Sequence, residues 1–453
     1  MADYAPLTKD QLIETISGGE KPRDQWRVGA EHEKFGFDLK TLRRPAYEGD
    51  NGIKAMLEGL TRFGWSPVSE AGKVIALERK NSEGFTASVS LEPGGQFELS
   101  GAPLLTMHDI CSETGQHLTE VKQVADELGL GFIGVGFDPL WKREDVPVMP
   151  KGRYNIMRAY MPTKGKLGLD MMLRTSTIQA NLDFESEADM VMKFRTSLAL
   201  QPIATALFAN SPFIEGKPSG FLSSRANVWT DTDPDRTGML GFVFEDGFGY
   251  ERYVDYALDT PMYFAKRGDV YEDLSGQSFR AFIDGKVDAL PNDRANLKDW
   301  ADHLTTLFPE VRLKQYLEMR GADGGPWDRI CALPALWTGI FYDAPSLAAA
   351  WDLCKDWDIE DHERLRRDVT RLGLKAQVNG RSVRDIAVDM IAIASQGLKN
   401  RNRLSGAMVD ERVYLAELEE IANTGITPAE RLLDLYNGKW QGDLSNLYKD
   451  FAY

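Results

Sequence analysis

The chain has 453 residues, 43% of them hydrophobic and 27% charged, which is ordinary for a globular protein and excludes a disordered or fibrous chain. Its formal net charge of −16 repels the phosphate backbone of nucleic acids, so we expect no nucleic-acid partner; an anionic substrate would need a local cluster of arginine, lysine or metal. The three cysteines indicate a reducing compartment, and neither a signal peptide nor an apolar run of about 20 residues is visible, so we expect a cytoplasmic protein without membrane contact.

Helix-start signals occur near both ends of the chain. Thr8 and Gln11 form a capping box, in which the two side chains satisfy free backbone N–H groups at the start of a short helix. Thr427, Pro428 and Glu430 supply the cap, the first-turn proline and the acidic third position of another helix. Both segments are therefore predicted to begin helices.

Segments with period-two alternation, the signal of β-strands, lie between the helical patterns without the regular strand–helix–strand order of a parallel sheet. This mixture predicts an α+β fold with a largely antiparallel sheet. No sharp boundary is visible, so we expect residues 1–453 to form one domain, whose part from about residue 344 onward is helical.

The first predicted strand, residues 28–37, carries two acids on one face. Side chains two residues apart on a strand point the same way, so Glu31 and Glu33 lie about 7 Å apart, and His32 between them faces away. Two such carboxylates repel each other and need a cation or a raised pKa when they are buried. The alternative is an edge strand whose glutamates face water.

Two further predicted strands repeat this polar face. Glu92 and Glu98 flank a Pro-Gly-Gly turn in the second strand region, and the turn leaves the directions of their side chains open. Gln179 and Asn181 share one face of the third strand, whose other face is apolar.

The fourth predicted strand covers residues 311–320 as one continuous element. Alternation along it places polar side chains on a single face, with Glu318 and Arg320 adjacent to each other there. An ordinary half-exposed sheet, wet on one side, is the alternative interpretation of all four patterns.

The four polar faces share ligand-type oxygens. Carboxylate and amide oxygens are the ligands that Mg²⁺ prefers, and Mg²⁺ usually shares its coordination with substrate phosphates. If these strands converge, they form a funnel of oxygen ligands in which Arg320 meets a phosphate. The patterns therefore favour a metal–phosphate site.

Long blocks of the sequence resemble the plant-type glutamate–cysteine ligases, a family with proteobacterial members, in order over almost the whole chain. The blocks are VGAEHE (28–33), LEPGGQFELSG (91–101), MPKGRY (149–154), TIQAN (177–181), EMRGADGGPW (318–327) and YNGKW (436–440). The resemblance implies the glutamine-synthetase-like fold, a curved antiparallel sheet that forms a funnel with helices on its outer side. It also implies ATP-dependent joining of L-cysteine to the γ-carboxylate of L-glutamate through a γ-glutamyl phosphate, the first step of glutathione synthesis.

Patterning and resemblance together suggest roles for particular residues. We expect Arg320 to hold the transferred phosphoryl group and Glu33 to be essential for turnover. Either Mg²⁺ or Mn²⁺ is the expected metal. Its expected ligands are Glu31, Glu33, Glu92, Glu98, Gln179, Asn181 and Glu318.

The two amino-acid substrates bring two α-carboxylates, which suit the bidentate fork of arginine. Arg153 and Arg225 match the family positions that grip substrate. Further candidates for the substrate site are Arg158, Arg174, Arg236 and Tyr263.

The resemblance also bears on the cysteines. Plant members carry two regulatory disulfides, and one of them falls on Leu274 and Ala289 here, so it cannot form. The other matches Cys111 and Cys331. Whether these two cysteines pair or stay as thiols remains open, because bridging requires Cα atoms within about 7 Å.

Three other functions remain open. A ligase of the same fold could accept a different amine, and a phosphohydrolase could use the same metal cluster with water as the acceptor. A structural metal-binding protein would give Arg153, Arg225 and Arg320 no task. The sequence also leaves open whether the protein is a monomer or a homodimer.

Overall fold

The computed structural model describes residues 5–291 and 293–453, in which helices cover one large sheet. The strands are β1 (Val28–Asp38), β2 (Ser66–Glu70), β3 (Lys73–Lys80), β4 (Thr86–Leu91), β5 (Phe97–Ser100), β6 (Leu130–Ile133), β7 (Thr177–Leu182), β8 (Phe213–Ile214), β9 (Lys217–Pro218), β10 (Thr237–Gly238), β11 (Phe264–Arg267), β12 (Val270–Asp273), β13 (Phe308–Pro309), β14 (Val311–Leu313), β15 (Leu317–Asp323), β16 (Gln377–Val378) and β17 (Arg381–Ser382). The helices are α1 (Lys9–Ser17), α2 (Ile53–Leu60), α3 (Met107–Leu128), α4 (Gly152–Tyr160), α5 (Gly168–Arg174), α6 (Glu187–Leu207), α7 (Ser224–Val228), α8 (Tyr250–Asp259), α9 (Phe279–Ile283), α10 (Leu297–Leu304), α11 (Trp327–Phe341), α12 (Ala344–Asp352), α13 (Ile359–Leu372), α14 (Val383–Arg401), α15 (Ala416–Thr424), α16 (Pro428–Asn437) and α17 (Ser445–Phe451).

The large sheet is antiparallel throughout, which confirms the predicted α+β class. Its strand order is β14-β15-β7-β1-β5-β4-β3-β2, and β6 pairs with the far end of β1. The long strand β1 is central: Glu31 pairs with Gln179 of β7 on one side, and Glu33 pairs with Glu98 of β5 on the other. Directly opposed residues on neighbouring strands share a face. The register therefore brings the predicted polar side chains together on one face of the sheet.

The other face of the sheet is apolar and packs against helices. Val89, Leu99 and Ile178 point into this layer and are at most 1% exposed. Helices α3, α6 and α11 pack against β1, β15 and β7, respectively, and each fully buried side chain of this size contributes about 1.5–3 kcal/mol to folding. This packing fixes the register, because a slip of one residue would turn the carboxylates into the core.

His32 faces away from the acids, as predicted. Its ring is buried behind the sheet beside Lys34, whose Nζ lies 3.4 Å from Nε2 of His32 and 2.9 Å from Nε2 of His117. The Lys34 ammonium also donates to the backbone carbonyl of Phe97. These basic groups pack on the side of the sheet opposite to the polar face.

Two helix starts are confirmed. The capping boxes of Thr8 with Gln11 and of Thr427 with Glu430 are both formed. The helical C-terminal part begins at Trp327, before the predicted residue 344, and the short β16–β17 hairpin interrupts it. The prediction that residues 1–453 form a single domain stays a prediction.

The prediction of one strand over residues 311–320 is wrong. The segment is a hairpin in which β14 and β15 pair, and the turn between them holds Lys314, Gln315 and Tyr316. Arg312 and Glu318 are direct cross-strand partners. Because partners in a hairpin share a face, the polar alternation continues through the turn and does not reveal the reversal of the chain.

Helices α3 and α11, which both cover the sheet, are also joined covalently. The structure links Cys111 of α3 to Cys331 of α11, with Cα atoms 5.7 Å apart. Trp327, the first residue of α11, donates from Nε1 to the carbonyl of Cys111 at 3.2 Å.

Among the described residues, every helix is too short or too polar to cross a bilayer.

Candidate active site

A cavity of about 280 Å³ opens on the polar face of the sheet. Four carboxylates and four arginines line it. Its charged lining residues are Glu31, Glu33, Glu92, Glu98, Arg153, Arg225, Arg312 and Arg320.

The strands and one tight turn aim the four glutamates into this cavity. Glu31 and Glu33 alternate along β1, and Glu98 stands opposite Glu33 on β5. The turn after β4 brings Glu92 to the same cavity, because the Glu92 amide donates to the Gln96 carbonyl at 3.0 Å. The direction that sequence patterning left open is thus the same for Glu92 and Glu98.

The cavity holds more negative charge than its burial tolerates. Burial raises the pKa of Glu31 to about 7, and repulsion from Glu318 and Glu98 adds to the shift. Burial and the neighbouring charges of Glu92 and Glu98 likewise raise the pKa of Glu33. The pKa of Glu98 is raised by burial and by Glu92. A cation in this cavity would relieve all three shifts.

Glu318 differs from the other acids because it is already neutralised. Arg312 donates to both of its carboxylate oxygens at 2.7–3.0 Å, Lys314 lies 3.2 Å away, and Arg320 forms a third ion pair. Burial alone would raise the pKa of Glu318, but these three cations outweigh it and hold the pKa well below its usual range.

The two amides have different partners. Gln179 accepts a hydrogen bond from Nη1 of Arg320 at 2.6 Å and lines the cavity. Asn181 donates to Glu31 at 2.6 Å, while its buried Oδ1 has no hydrogen-bond partner among the residues that the structure describes. A buried carbonyl oxygen without a hydrogen-bond partner, next to a carboxyl group whose pKa is raised, is suited to bind a hard cation. Nevertheless, no three His, Cys, Asp or Glu side chains of residues 5–291 and 293–453 form a compact metal-binding group.

Arg153 and Arg225, which also line the cavity, supply free hydrogen-bonding capacity. Arg153 lies in the first turn of α4, and its buried Nε has no partner. Arg225 lies in α7 and donates from Nη2 to the carbonyl of Arg320 at 2.7 Å, but its Nε is also unpartnered. Buried guanidinium groups with open donors are suited to substrate carboxylates or phosphates.

The other predicted substrate residues lie outside the cavity. Arg158 and Arg174 line a separate surface groove, and Arg174 is paired there with Asp170 and Glu215. They turn away because α4 and α5 present opposite faces to the cavity and to the groove.

Tyr263 and Arg236 are packed in the interior. Tyr263 is 0% exposed and donates to Oδ2 of Asp233 at 3.2 Å, and the Arg236 guanidinium lies 3.8 Å from the centre of its ring. Arg236 itself is paired with Asp233. The adjacent residue Phe264 lines the cavity instead, because successive side chains of an extended segment point to opposite sides.

Patterning missed the apolar wall of the cavity. One signal existed, because Met157 lies one helical turn after Arg153 and therefore on the same face of α4. The others lie on separate elements that only the tertiary fold brings together. The apolar lining consists of Met157, Met171, Met172, Trp229, Phe264 and Phe308.

Phosphoryl transfer from a nucleotide requires arginines that bind phosphates and carboxylates that bind divalent cations, and this cavity contains both kinds of side chain. Fold and cavity thus define a class of enzyme that activates its substrate with a nucleotide. The model of the glutamate-cysteine ligase family 2 (GCS2) matches residues 27–450, and the chain belongs to this family.

Curated relatives support this assignment over almost the full chain. The chain is 54% identical over 449 residues to the chloroplastic glutamate–cysteine ligase of Arabidopsis thaliana, covering 99% of this chain and 83% of the relative. It is equally identical to the chloroplastic glutamate–cysteine ligase B of Oryza sativa subsp. japonica, with 88% of that relative covered.

Among solved structures, the glutamate–cysteine ligase of Francisella tularensis in complex with AMP has a similar fold. The TM-score is 0.55 at 12% identity, over 94% of this chain and 88% of that one. This similarity confirms the predicted fold, with its large antiparallel sheet and flanking helices.

Proposed function

We propose that the protein joins the amine of L-cysteine to the γ-carboxylate of L-glutamate with conversion of ATP to ADP and phosphate, the first step of glutathione synthesis. The observation that carries the chemistry is the cavity, where two arginines with buried, unpartnered Nε atoms and four carboxylates share one lining. The two amino acids are supported by the 54% identity to plant glutamate–cysteine ligases.

The reaction needs activation because a carboxylate oxygen is a poor leaving group. Transfer of the γ-phosphoryl group of ATP to the γ-carboxylate gives γ-glutamyl phosphate and ADP. The cysteine amine then attacks the carbonyl carbon, phosphate leaves, and the nitrogen loses a proton. Catalysis of the first step consists mainly of positioning and charge neutralisation.

Arg320 is the proposed partner of the transferred phosphoryl group. Its guanidinium lines the cavity and is oriented by Gln179 and Glu318, so it is held in place before a phosphate arrives. Arg153 and Arg225 are the proposed partners of the substrate carboxylates, because a buried guanidinium with an unused Nε gains most from an anion.

A divalent cation, Mg²⁺ or Mn²⁺, fits the acidic side of the cavity. The raised pKa values of Glu31, Glu33 and Glu98 and the orphaned Oδ1 of Asn181 are the observations behind this fit. Such a cation, when bound, would neutralise charge on the nucleotide phosphates. The proposed ligands are Glu31, Glu33, Glu92, Glu98, Gln179 and Asn181, whereas Glu318, the seventh ligand predicted from the sequence, is already neutralised by Arg312, Lys314 and Arg320.

The test is a reconstituted reaction followed by ADP release and by mass spectrometry of the product. With ATP, Mg²⁺ and both amino acids, we expect γ-glutamylcysteine and ADP in equal amounts, and little ADP when either amino acid is omitted. Replacing cysteine by a panel of other amines tests the alternative ligase. Phosphate release that needs neither amino acid would instead indicate a phosphohydrolase and contradict the proposal.

The remaining partners and the location are also proposals. We place the reaction in the cytoplasm because the chain has only three cysteines, and we expect no nucleic-acid partner because the net charge is −16. We expect no membrane partner because the sequence has no apolar run of about 20 residues. We further propose a proteobacterial member of the family, because the sequence blocks resemble a family that includes proteobacterial enzymes. Sizing chromatography distinguishes a monomer from a homodimer.

A further inference from the structure

Asp323 is a buried carboxylate at the end of β15, the strand that also carries Glu318 and Arg320. It is 1% exposed and does not line the cavity. Its oxygens nevertheless accept three short hydrogen bonds. Oδ2 accepts from the Asn210 amide at 2.8 Å and from the Ser211 hydroxyl at 2.6 Å, and Oδ1 accepts from the Ser223 hydroxyl at 2.7 Å.

The two serines connect Asp323 to the backbone of Arg225. The Ser211 hydroxyl accepts a hydrogen bond from the Arg225 amide at 3.2 Å. Ser223 is the N-cap of α7, and its hydroxyl accepts from the Ala226 amide at 3.0 Å. One carboxylate therefore anchors the loop before α7 and the first turn of the helix that presents Arg225.

The same strand also holds the side chain of Arg225. The Arg320 carbonyl, three residues before Asp323, accepts from Nη2 of Arg225 at 2.7 Å. Burial lowers the pKa of the Arg225 guanidinium, and the negative charges of Asp323 and Glu33 oppose that shift. Asp323 thus supplies compensating charge to this arginine and hydrogen-bond acceptors to the two serines that hold its helix.

The fold makes specific room for this carboxylate. A Cβ atom placed on Gly136 would lie 2.3 Å from Cγ of Asp323, which is closer than side chains approach. The close approach of the backbone at Gly136 is therefore possible only for glycine, and it keeps Asp323 against its donors.

We propose that Asp323 is a positioning residue that acts through Arg225 on the binding of an amino-acid substrate. The inference rests on the proposed function, because it uses the role of Arg225 in substrate binding. Loss of the carboxylate would free the Ser211 and Ser223 hydroxyls, and the first turn of α7 would no longer hold the guanidinium at its place in the cavity.

The test compares the KM values for glutamate, cysteine and ATP in Asp323→Asn, Arg225→Lys and the double variant. We expect Asp323→Asn to raise the KM by about 10-fold for the amino acid that Arg225→Lys also affects, and the KM for ATP to change less than about twofold. In the double variant, Asp323→Asn should add little to the effect of Arg225→Lys, because both act on the same contact.

Asp183→Asn is the matched control. Asp183 is also a buried carboxylate at a strand end that accepts a backbone N–H, from Arg27 at 2.7 Å, but it is absent from the cavity lining and from the contacts of Arg225. We expect it to leave all three KM values unchanged. Ser211→Ala, which removes one of the three bonds, gives a second reading by the same criterion if Asp323→Asn does not fold.

Equal kinetics in Asp323→Asn and Asp183→Asn would overturn the inference, as would equal effects on all three KM values or full additivity in the double variant. If the unmodified protein makes no γ-glutamylcysteine, the proposed function fails first, and the inference fails with it. An active wild-type protein with an unaffected Asp323→Asn variant would overturn the inference alone.

Discussion

The residues that carry the proposed chemistry divide the cavity by charge. Glu33 and Glu98 are buried, Glu31 is half-buried, and all three have raised pKa values, whereas Glu318 is held by three basic side chains. A cation would therefore stabilise the charged forms of the first three carboxylates, whereas Glu318 is already neutralised. Removal of one acid from the first group should reduce metal binding without exposing an unpaired cation.

Glu33→Gln tests this difference most simply. Glutamine keeps the size of the side chain and removes its charge, so we expect kcat to fall by about 100-fold or more while the fold is retained. Circular dichroism and the thermal midpoint serve as controls for folding. Ligase activity close to that of the wild type would contradict the metal role of Glu33.

The pH dependence of Mg²⁺ affinity follows from the raised pKa of Glu31. In the folded protein this carboxyl keeps its proton up to about pH 7, against an ordinary value of 4.5, so Mg²⁺ must displace a proton below that pH. Between about pH 4.5 and about pH 7, the folded state thus binds more protons than the unfolded state. The free energy of unfolding of the metal-free protein should therefore fall as the pH rises through this range.

We therefore expect stabilisation by Mg²⁺ to increase from about pH 5 to about pH 7 and then to level off. Thermal unfolding with a Mg²⁺ titration at several pH values measures it, and Glu31→Gln should flatten the dependence. Equal stabilisation by Mg²⁺ at every pH would show that the carboxylates do not compete with protons for the metal.

Among single residues, sequence patterning predicted which acids share the polar face of the sheet. It predicted less well which of the other candidates line the cavity. Glu31 and Glu33 follow directly from the two-residue period of β1. Arg174 and Tyr263 do not line the cavity, because the side to which a helix or loop turns depends on packing partners far away in the sequence. The resemblance to a family, rather than periodicity, singled out Arg153 and Arg225.

Among the secondary-structure elements, a hairpin cannot be distinguished from one long strand by its side-chain alternation when both of its strands share a polar face. The segment 311–320 is such a case, because Arg312 and Glu318 pair across the turn and preserve the alternation. The capping boxes of Thr8 and Thr427 were predictable, since both partners of each box lie within three residues of one another.

The link between α3 and α11 is an element-scale feature with a measurable effect on stability. Cys111 and Cys331 are separated by 220 residues, so the bridge restricts the unfolded chain strongly. We expect reductant to lower the free energy of unfolding by about 2–4 kcal/mol. Denaturant unfolding with and without reductant measures this change.

The double variant Cys111→Ser/Cys331→Ser is the control for that experiment. Its stability should be the same with and without reductant, because its remaining cysteine, Cys354, is free in the structure. Three free thiols in the unreduced, denatured wild-type protein would show that the bridge does not form.

The molecule as a whole is acidic, yet the substrates of the proposed reaction are anions. A chain of net charge −16 repels ATP at long range, so the arginines of the cavity and any bound cation must supply the local attraction. The order of strands in the sheet was not predictable from patterning, because nothing local specifies that β7 lies between β15 and β1. That order is what gathers the acids and Arg320 in one place.

The most direct measurement follows an isotopic label through the reaction. We expect glutamate with heavy oxygen in its γ-carboxylate to transfer one labelled oxygen to the released phosphate for each γ-glutamylcysteine formed, because the carboxylate oxygen accepts the γ-phosphoryl group. Mass spectrometry of the phosphate reads out this transfer. Phosphate without label, released alongside the product, would show that the cavity does not activate the carboxylate by phosphorylation and would contradict the account.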